Sequence, residues 1–150
     1  AIRHDASYAA PHNNLGAILF QEGDSEGASE HFLKARELDP NYTLPMVNLG
    51  VVASQKGDVA GAEKAIRAVL AKDPNLIEAH YNLGAVFAGM GDVERAVAHL
   101  ERALALDPDD AKASLDLGLL LEAGGDLAGA TAHYERFLEK RPGAAAAQPE

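Results

Sequence analysis

Apolar residues recur along this chain at helical intervals, in paired blocks. Ile77, Tyr81, Leu83, Val86, Phe87 and Met90 follow a helical period, and Val93, Ala96, Val97, Leu100, Ala103 and Leu104 do so again after a break at Gly91-Asp92. The two blocks predict two amphipathic helices. Gly91 suits the left-handed conformation that closes the first helix, and Asp92 suits capping the exposed amides that open the second. Asp107-Pro108 ends the second helix, because proline disfavours helical geometry in the residue before it and lacks the donor needed to continue the ladder. The local pattern therefore predicts a helical hairpin.

The hairpin recurs four times. Leu15-Gly16, Leu49-Gly50, Leu83-Gly84 and Leu117-Gly118 are spaced by 34 residues, and the same period separates Gly23-Asp24, Gly57-Asp58, Gly91-Asp92 and Gly125-Asp126. Ala28, Ala62, Ala96 and Ala130 keep that register, as do Pro40, Pro74, Pro108 and Pro142. The units predicted are 9–42, 43–76, 77–110 and 111–144, an all-α solenoid of eight antiparallel helices. Glycine inside a helix costs about 1 kcal/mol relative to alanine, so Gly16, Gly50, Gly84 and Gly118 imply close approach of a neighbouring helix, with the repeated alanines as the matching small surface. Pro11 and Pro45 fall in first turns, where the missing amide is harmless.

The combination of Leu-Gly in the first helix, Ala followed four residues later by Phe32, Ile66, Leu100 or Tyr134 in the second, and a closing Pro resembles the tetratricopeptide repeat family. The resemblance covers 9–144 and implies a right-handed superhelix whose concave side displays the first helices. It departs from the family pattern at His12, Met46, His80 and Ser114, where an early bulky aromatic is expected. Residues 1–8 align with 35–42 and read as the tail of a preceding repeat, while 145–150 read as a linker or truncated end.

Charge and composition narrow the function. A net charge of −10 repels phosphate backbones and anionic lipid, so neither nucleic acid nor membrane is expected as a partner, and a neutral or basic polypeptide fits better. The chain has no Cys, no run approaching the roughly 20 apolar residues of a membrane span, and no Walker loop, HExxH or serine elbow. Neither catalysis nor a cofactor is expected, and the compartment is not specified. His12 and His80 share one repeat position, and His31, His99 and His133 share another. Equivalent positions in stacked units lie about 10 Å apart by helix-packing distances, too far to share a metal ion, so no metal site is expected.

The remaining candidate surface is the face of the first helices. Asn14, Asn48 and Asn82 each precede a Leu-Gly pair, with Asp116 in the fourth unit. Asparagine is a poor helix former, and two roles suit such a row: tying neighbouring units together, or pairing with the backbone of an extended peptide. The row is similar to the asparagine ladder of O-GlcNAc transferase and related bacterial repeat proteins, which favours the peptide. On that reading, replacing all three asparagines by Ala should leave the fold intact or slightly steadier. Asn13, Val47, Tyr81, Phe20, Gln21, Gln55 and Lys112 are expected beside them in the groove, with Val51 and Leu119 adding apolar surface. The carboxylate clamp known in this family needs positive charge that the corresponding places lack. The leading expectation is a non-catalytic module binding a peptide or protein. The alternatives are a substrate-recruiting arm of a larger enzyme such as a glycosyltransferase, and a scaffold that self-associates through its open ends.

Overall fold

The computed structural model describes residues 6–140. Among them are a short 3-10 turn, Ala6–Tyr8, and eight α-helices with no strand: α1 Ala9–Gln21, α2 Ser25–Leu38, α3 Leu44–Gln55, α4 Val59–Lys72, α5 Ile77–Gly89, α6 Val93–Leu106, α7 Ala111–Ala123 and α8 Leu127–Lys140. Two compact units divide the chain within α5, residues 1–82 and 83–150. The first holds the α1/α2 and α3/α4 hairpins and the start of α5. The second holds the rest of α5, α6, and the α7/α8 hairpin. Pro142, the start of the preceding-repeat tail (residues 1–5) and residues 145–150 lie outside the described residues.

The Gly-Asp pair builds every hairpin turn. Gly23, Gly57, Gly91 and Gly125 have φ of 90°, 88°, 75° and 88°, the left-handed region that other residues enter only at a cost. In this turn the glycine's own amide and the next one point back onto the helix just ended. In the first turn Gly23 N–H donates to Phe20 O at 3.1 Å and Asp24 N–H to Leu19 O at 2.9 Å, the reciprocal Schellman pairing. The pairing recurs with Asp58 to Ala53 O, Asp92 to Phe87 O and Asp126 to Leu121 O.

The same aspartate then opens the second helix. Asp24 and Asp58 accept from Gly27 N–H and Gly61 N–H at 2.9 Å, Asp126 from Gly129 N–H at 2.9 Å, and Asp92 from Arg95 N–H at 3.1 Å. Asp92 also accepts from Arg95 Nε at 2.7 Å. The backbone hydrogen bond and then the guanidinium favour its charged form, holding the carboxyl below the usual carboxylate range. The second helices end as the sequence predicts. Asp39, Asp73 and Asp107 are extended ahead of their prolines, and each carboxylate accepts the amide two residues on, at 2.9 to 3.1 Å.

Close helix contact explains the Leu-Gly glycines. A Cβ added at Gly16 would lie 2.7 Å from Phe32 Cε1 and 3.1 Å from Ala28 O; at Gly118 it would lie 2.7 Å from Tyr134 Cε1 and 3.4 Å from Ala130 O. Gly50 meets Ile66 at 2.8 Å and Gly84 meets Leu100 Cγ at 2.8 Å. The repeated alanine brings its carbonyl up to the glycine, and the large residue four later lies on it. In the first unit Phe32 and Ala28 form a core cluster with Val52 of α3, so the second hairpin packs on the first. In the second unit the loop after α6 is clasped by α8: Arg136 Nη2 donates to Pro108 O at 2.9 Å and Lys140 pairs with Asp109. The Lys140 ammonium holds the Asp109 carboxyl below its ordinary range.

Replacing Gly84 by Leu should force α5 and α6 apart within the second unit and cost about 1–3 kcal/mol, the usual penalty of overpacking. Chemical denaturation checks this, and an unchanged midpoint would show that Leu100 moves aside freely.

Candidate functional site

The first helices place the predicted groove residues unequally. Asn13 and Val47, one turn before Gly16 and Gly50, are buried with them. Residues three apart share a helix face, and here that face is turned into the packing. Asn13 and Val47 therefore do not line a solvent-accessible groove, contrary to the sequence expectation. Phe20 is half-buried against the Ala28–Phe32–Val52 cluster, which limits what it offers a ligand.

Asn48 has a specific partner. Its Nδ2 donates to Asn13 Oδ1 at 2.9 Å, joining α3 to α1. A buried amide oxygen needs a donor, so this bond gives Asn48 the tying role between units. Asn14 is exposed on α1, and Gln21, two turns further on, is exposed as well. On α3, Gln55 is exposed and its Oε1 accepts from Ser25 Oγ at 2.8 Å. Asn82 and Tyr81 are half-buried on the part of α5 that belongs to the first unit. In the second unit Asp116 is half-buried, while Lys112 and Leu119 are exposed.

The histidines form a contact that comparison of equivalent positions misses. The two histidine-bearing positions face each other within one hairpin: His12 Nδ1 and His31 Nδ1 are 2.8 Å apart, with ring centroids 5.1 Å apart. The rings approach nitrogen to nitrogen, a geometry that needs one donor and one acceptor and so a single proton between them. In the fourth unit the same two positions hold Ser114, which is buried, and His133, whose buried Nδ1 has no hydrogen-bond partner among the described residues. His99 lies against Phe87, with centroids 5.5 Å apart, and the Arg95 guanidinium lies over the same Phe87 ring, 4.2 Å from its centroid. No group of three or more potential metal ligands converges among the described residues.

Known proteins place this architecture. Family models described as "Tetratricopeptide repeat" match residues 9–42 and 81–145, together more than half of the chain. The chain belongs to the tetratricopeptide repeat family. Solved tetratricopeptide proteins superpose on it closely. PilF of Pseudomonas aeruginosa matches with a TM-score of 0.80 and 25% identity, over 93% of this chain and 65% of that one. MamA (41-end) from Desulfovibrio magneticus RS-1 matches with a TM-score of 0.70 and 26% identity, over 88% of this chain and 75% of that one. An O-GlcNAc transferase from Thermobaculum terrenum matches with a TM-score of 0.71 and 27% identity, over 78% of this chain but only 22% of that one. No curated protein sequence matches the chain. The tetratricopeptide fold suggests a protein-interaction module, and the matches indicate no catalytic family. Among the described residues, no helix is long and apolar enough to cross a membrane.

The Asn48–Asn13 bond changes the expected effect of mutating the asparagines. Asn48→Ala should destabilise the chain by about 1–3 kcal/mol, because it leaves the buried Asn13 oxygen without this donor. Asn14→Ala, at an exposed helical position, should be neutral or slightly stabilising. Urea denaturation of the two variants checks the contrast, and equal midpoints would show that the amide pair contributes nothing.

Proposed function

We propose that the chain is a non-catalytic module that holds an extended peptide or protein segment against its first helices. The observation that carries this reading is the exposed amide face of α1. Asn14 and Gln21 are seven residues apart, two full turns, and therefore lie on one side of the helix. The small, half-buried Ala17 sits between them, so a ligand backbone can approach closely. Asn48 and Gln55 repeat the spacing on α3 around Val51. Because Asn48 bonds to Asn13, the chain neighbour of Asn14, the two amide rows adjoin.

A primary amide offers both donors and an acceptor, so it can pair with backbone groups that every peptide has. Binding of this kind tolerates varied ligand sequences, with charge supplying the preference. The net charge of −10 favours segments carrying Lys or Arg, more strongly at low salt. The likeness to part of an O-GlcNAc transferase supports a second setting for the same grip, as the recruiting arm of a larger enzyme.

The test uses fluorescence anisotropy with an unstructured Lys-rich peptide and a Glu-rich peptide of equal length. The Lys-rich peptide should bind more tightly, and the advantage should shrink as salt rises. Asn14→Ala combined with Gln21→Ala should weaken binding by about 0.5–1.5 kcal/mol per lost hydrogen bond without lowering the melting temperature. Unchanged affinity in that double variant, or equal binding of both peptides at low salt, would remove the basis of this assignment.

A further inference from the structure

The His12–His31 contact lies inside one hairpin, and its rings meet end to end. The centroids are 5.1 Å apart and the Nδ1 atoms 2.8 Å apart, so the two distances differ by about one ring width and the nitrogens lie on the line between the rings. Each Nδ1 points at the other, which is the layout of an N–H···N hydrogen bond and not of two ligands converging on a metal ion. The fourth repeat shows what His12 contributes. There Ser114 stands in place of the first histidine, and the buried Nδ1 of His133, the equivalent of His31, has no hydrogen-bond partner among the described residues. An unpaired buried polar atom is costly, and His12 removes that cost from His31 in the first repeat.

Protonation decides whether this bond exists. Two neutral imidazoles can share it, one donating and one accepting, and so can an imidazolium beside a neutral ring, where the charge strengthens the bond. Two imidazoliums cannot, because both Nδ1 atoms then carry a proton and two like charges face each other. The joined pair thus holds one extra proton at most, whereas separated rings hold two. Acid therefore favours separation: the contribution of the pair is present at neutral pH and is lost as pH falls below the ordinary imidazole range, about pH 6.5.

Neighbouring groups do not offset the second charge. α1 has no ionisable side chain besides His12, and α3, which packs on both helices, has none. The 3-10 turn adds Tyr8, which is neutral in acid. α2 carries Glu26, Glu30, Lys34, Arg36 and Glu37. Residues three or four apart share a helix face, so among these Lys34 stands beside His31, and it is itself a cation, paired with Glu37 at 3.0 Å.

We infer that the His12–His31 pair is a proton-released latch between α1 and α2: one proton between the rings closes it, and protonation of both rings opens it. The residue after His12 is Asn13, whose side-chain oxygen holds Asn48 of α3, so the latch acts where α1 is tied to both neighbouring helices. It does not depend on peptide binding, since neither Asn14 nor Gln21 takes part.

Nitrogen-15 NMR of the chain, titrated from about pH 8 to about pH 4 across the imidazole range, tests the latch directly. A coupling across the hydrogen bond should join the two Nδ1 atoms at neutral pH and vanish in acid, with the pair taking up its two protons in separate steps. In His12→Met, His31 should titrate in one step, and in His31→Ala, His12 should do the same. Combining the two changes gives the residues that the second repeat carries at these positions, Met46 and Ala65. Urea unfolding of the parent and this double variant at each pH cancels the carboxylates common to both. The parent's advantage in folding constant should shrink by up to about tenfold per pH unit below the second step. The titration needs no variant, so it decides the matter even where the double variant does not fold. Absence of the coupling at neutral pH, uptake of both protons in independent steps by the folded parent, or the same pH dependence in parent and double variant overturns the proposal.

Discussion

The structure depends on a two-residue joint. A glycine in the left-handed region ends one helix, and the aspartate after it both closes that helix with its amide and opens the next with its carboxylate. One residue therefore satisfies orphan donors and acceptors on two helix termini at once. The joint leaves no room for a longer loop, which brings the two helices together at the register where the Leu-Gly glycine meets the large residue of the second helix. Hairpin geometry and the close packing within each hairpin follow from it.

Burial within the array has the same origin. Each hairpin buries one face against its own partner helix and needs a neighbouring hairpin for the rest. Phe32 with Val52, and Leu104 with Leu117, show that dependence in the first and second units. Leu15 and Leu138, the repeat equivalents of Leu117 and Leu104, are exposed by contrast. The same packing leaves the amides of Asn14 and Gln21 on the exposed side of α1.

Much of the fold was legible in the sequence because the joint is written in residues with few other uses. The Gly-Asp and Asp-Pro pairs mark turns, and the Leu-Gly glycine marks close packing. The candidate site was less legible. Proximity to Leu-Gly suggested that Asn13 and Val47 line a groove, but their three-residue offset from the glycine turns them inward; reading that offset would have shown it. The Asn48–Asn13 bond and the His12–His31 contact join different repeat positions, so comparing like with like could not reveal them. The third turn adds a departure with a use. Arg95 stands where Gly27, Gly61 and Gly129 stand in the other turns, and the aspartate cap still forms, reinforced by the guanidinium.

The most direct measurement compares Gly57→Ala with Gly61→Ala by urea denaturation, two glycines of one joint changed in the same way. A Cβ at Gly57 would meet nothing within 4 Å, yet its φ of 88° should make the alanine variant less stable by about 1–2 kcal/mol. A Cβ at Gly61 would press on the Asp58 carboxyl, yet Arg95 shows that the cap accommodates one, so the gain in helix propensity should leave that variant at least as stable as the parent. A neutral Gly57→Ala, or equal losses in both variants, would contradict the claim that the left-handed glycine is what holds the joint.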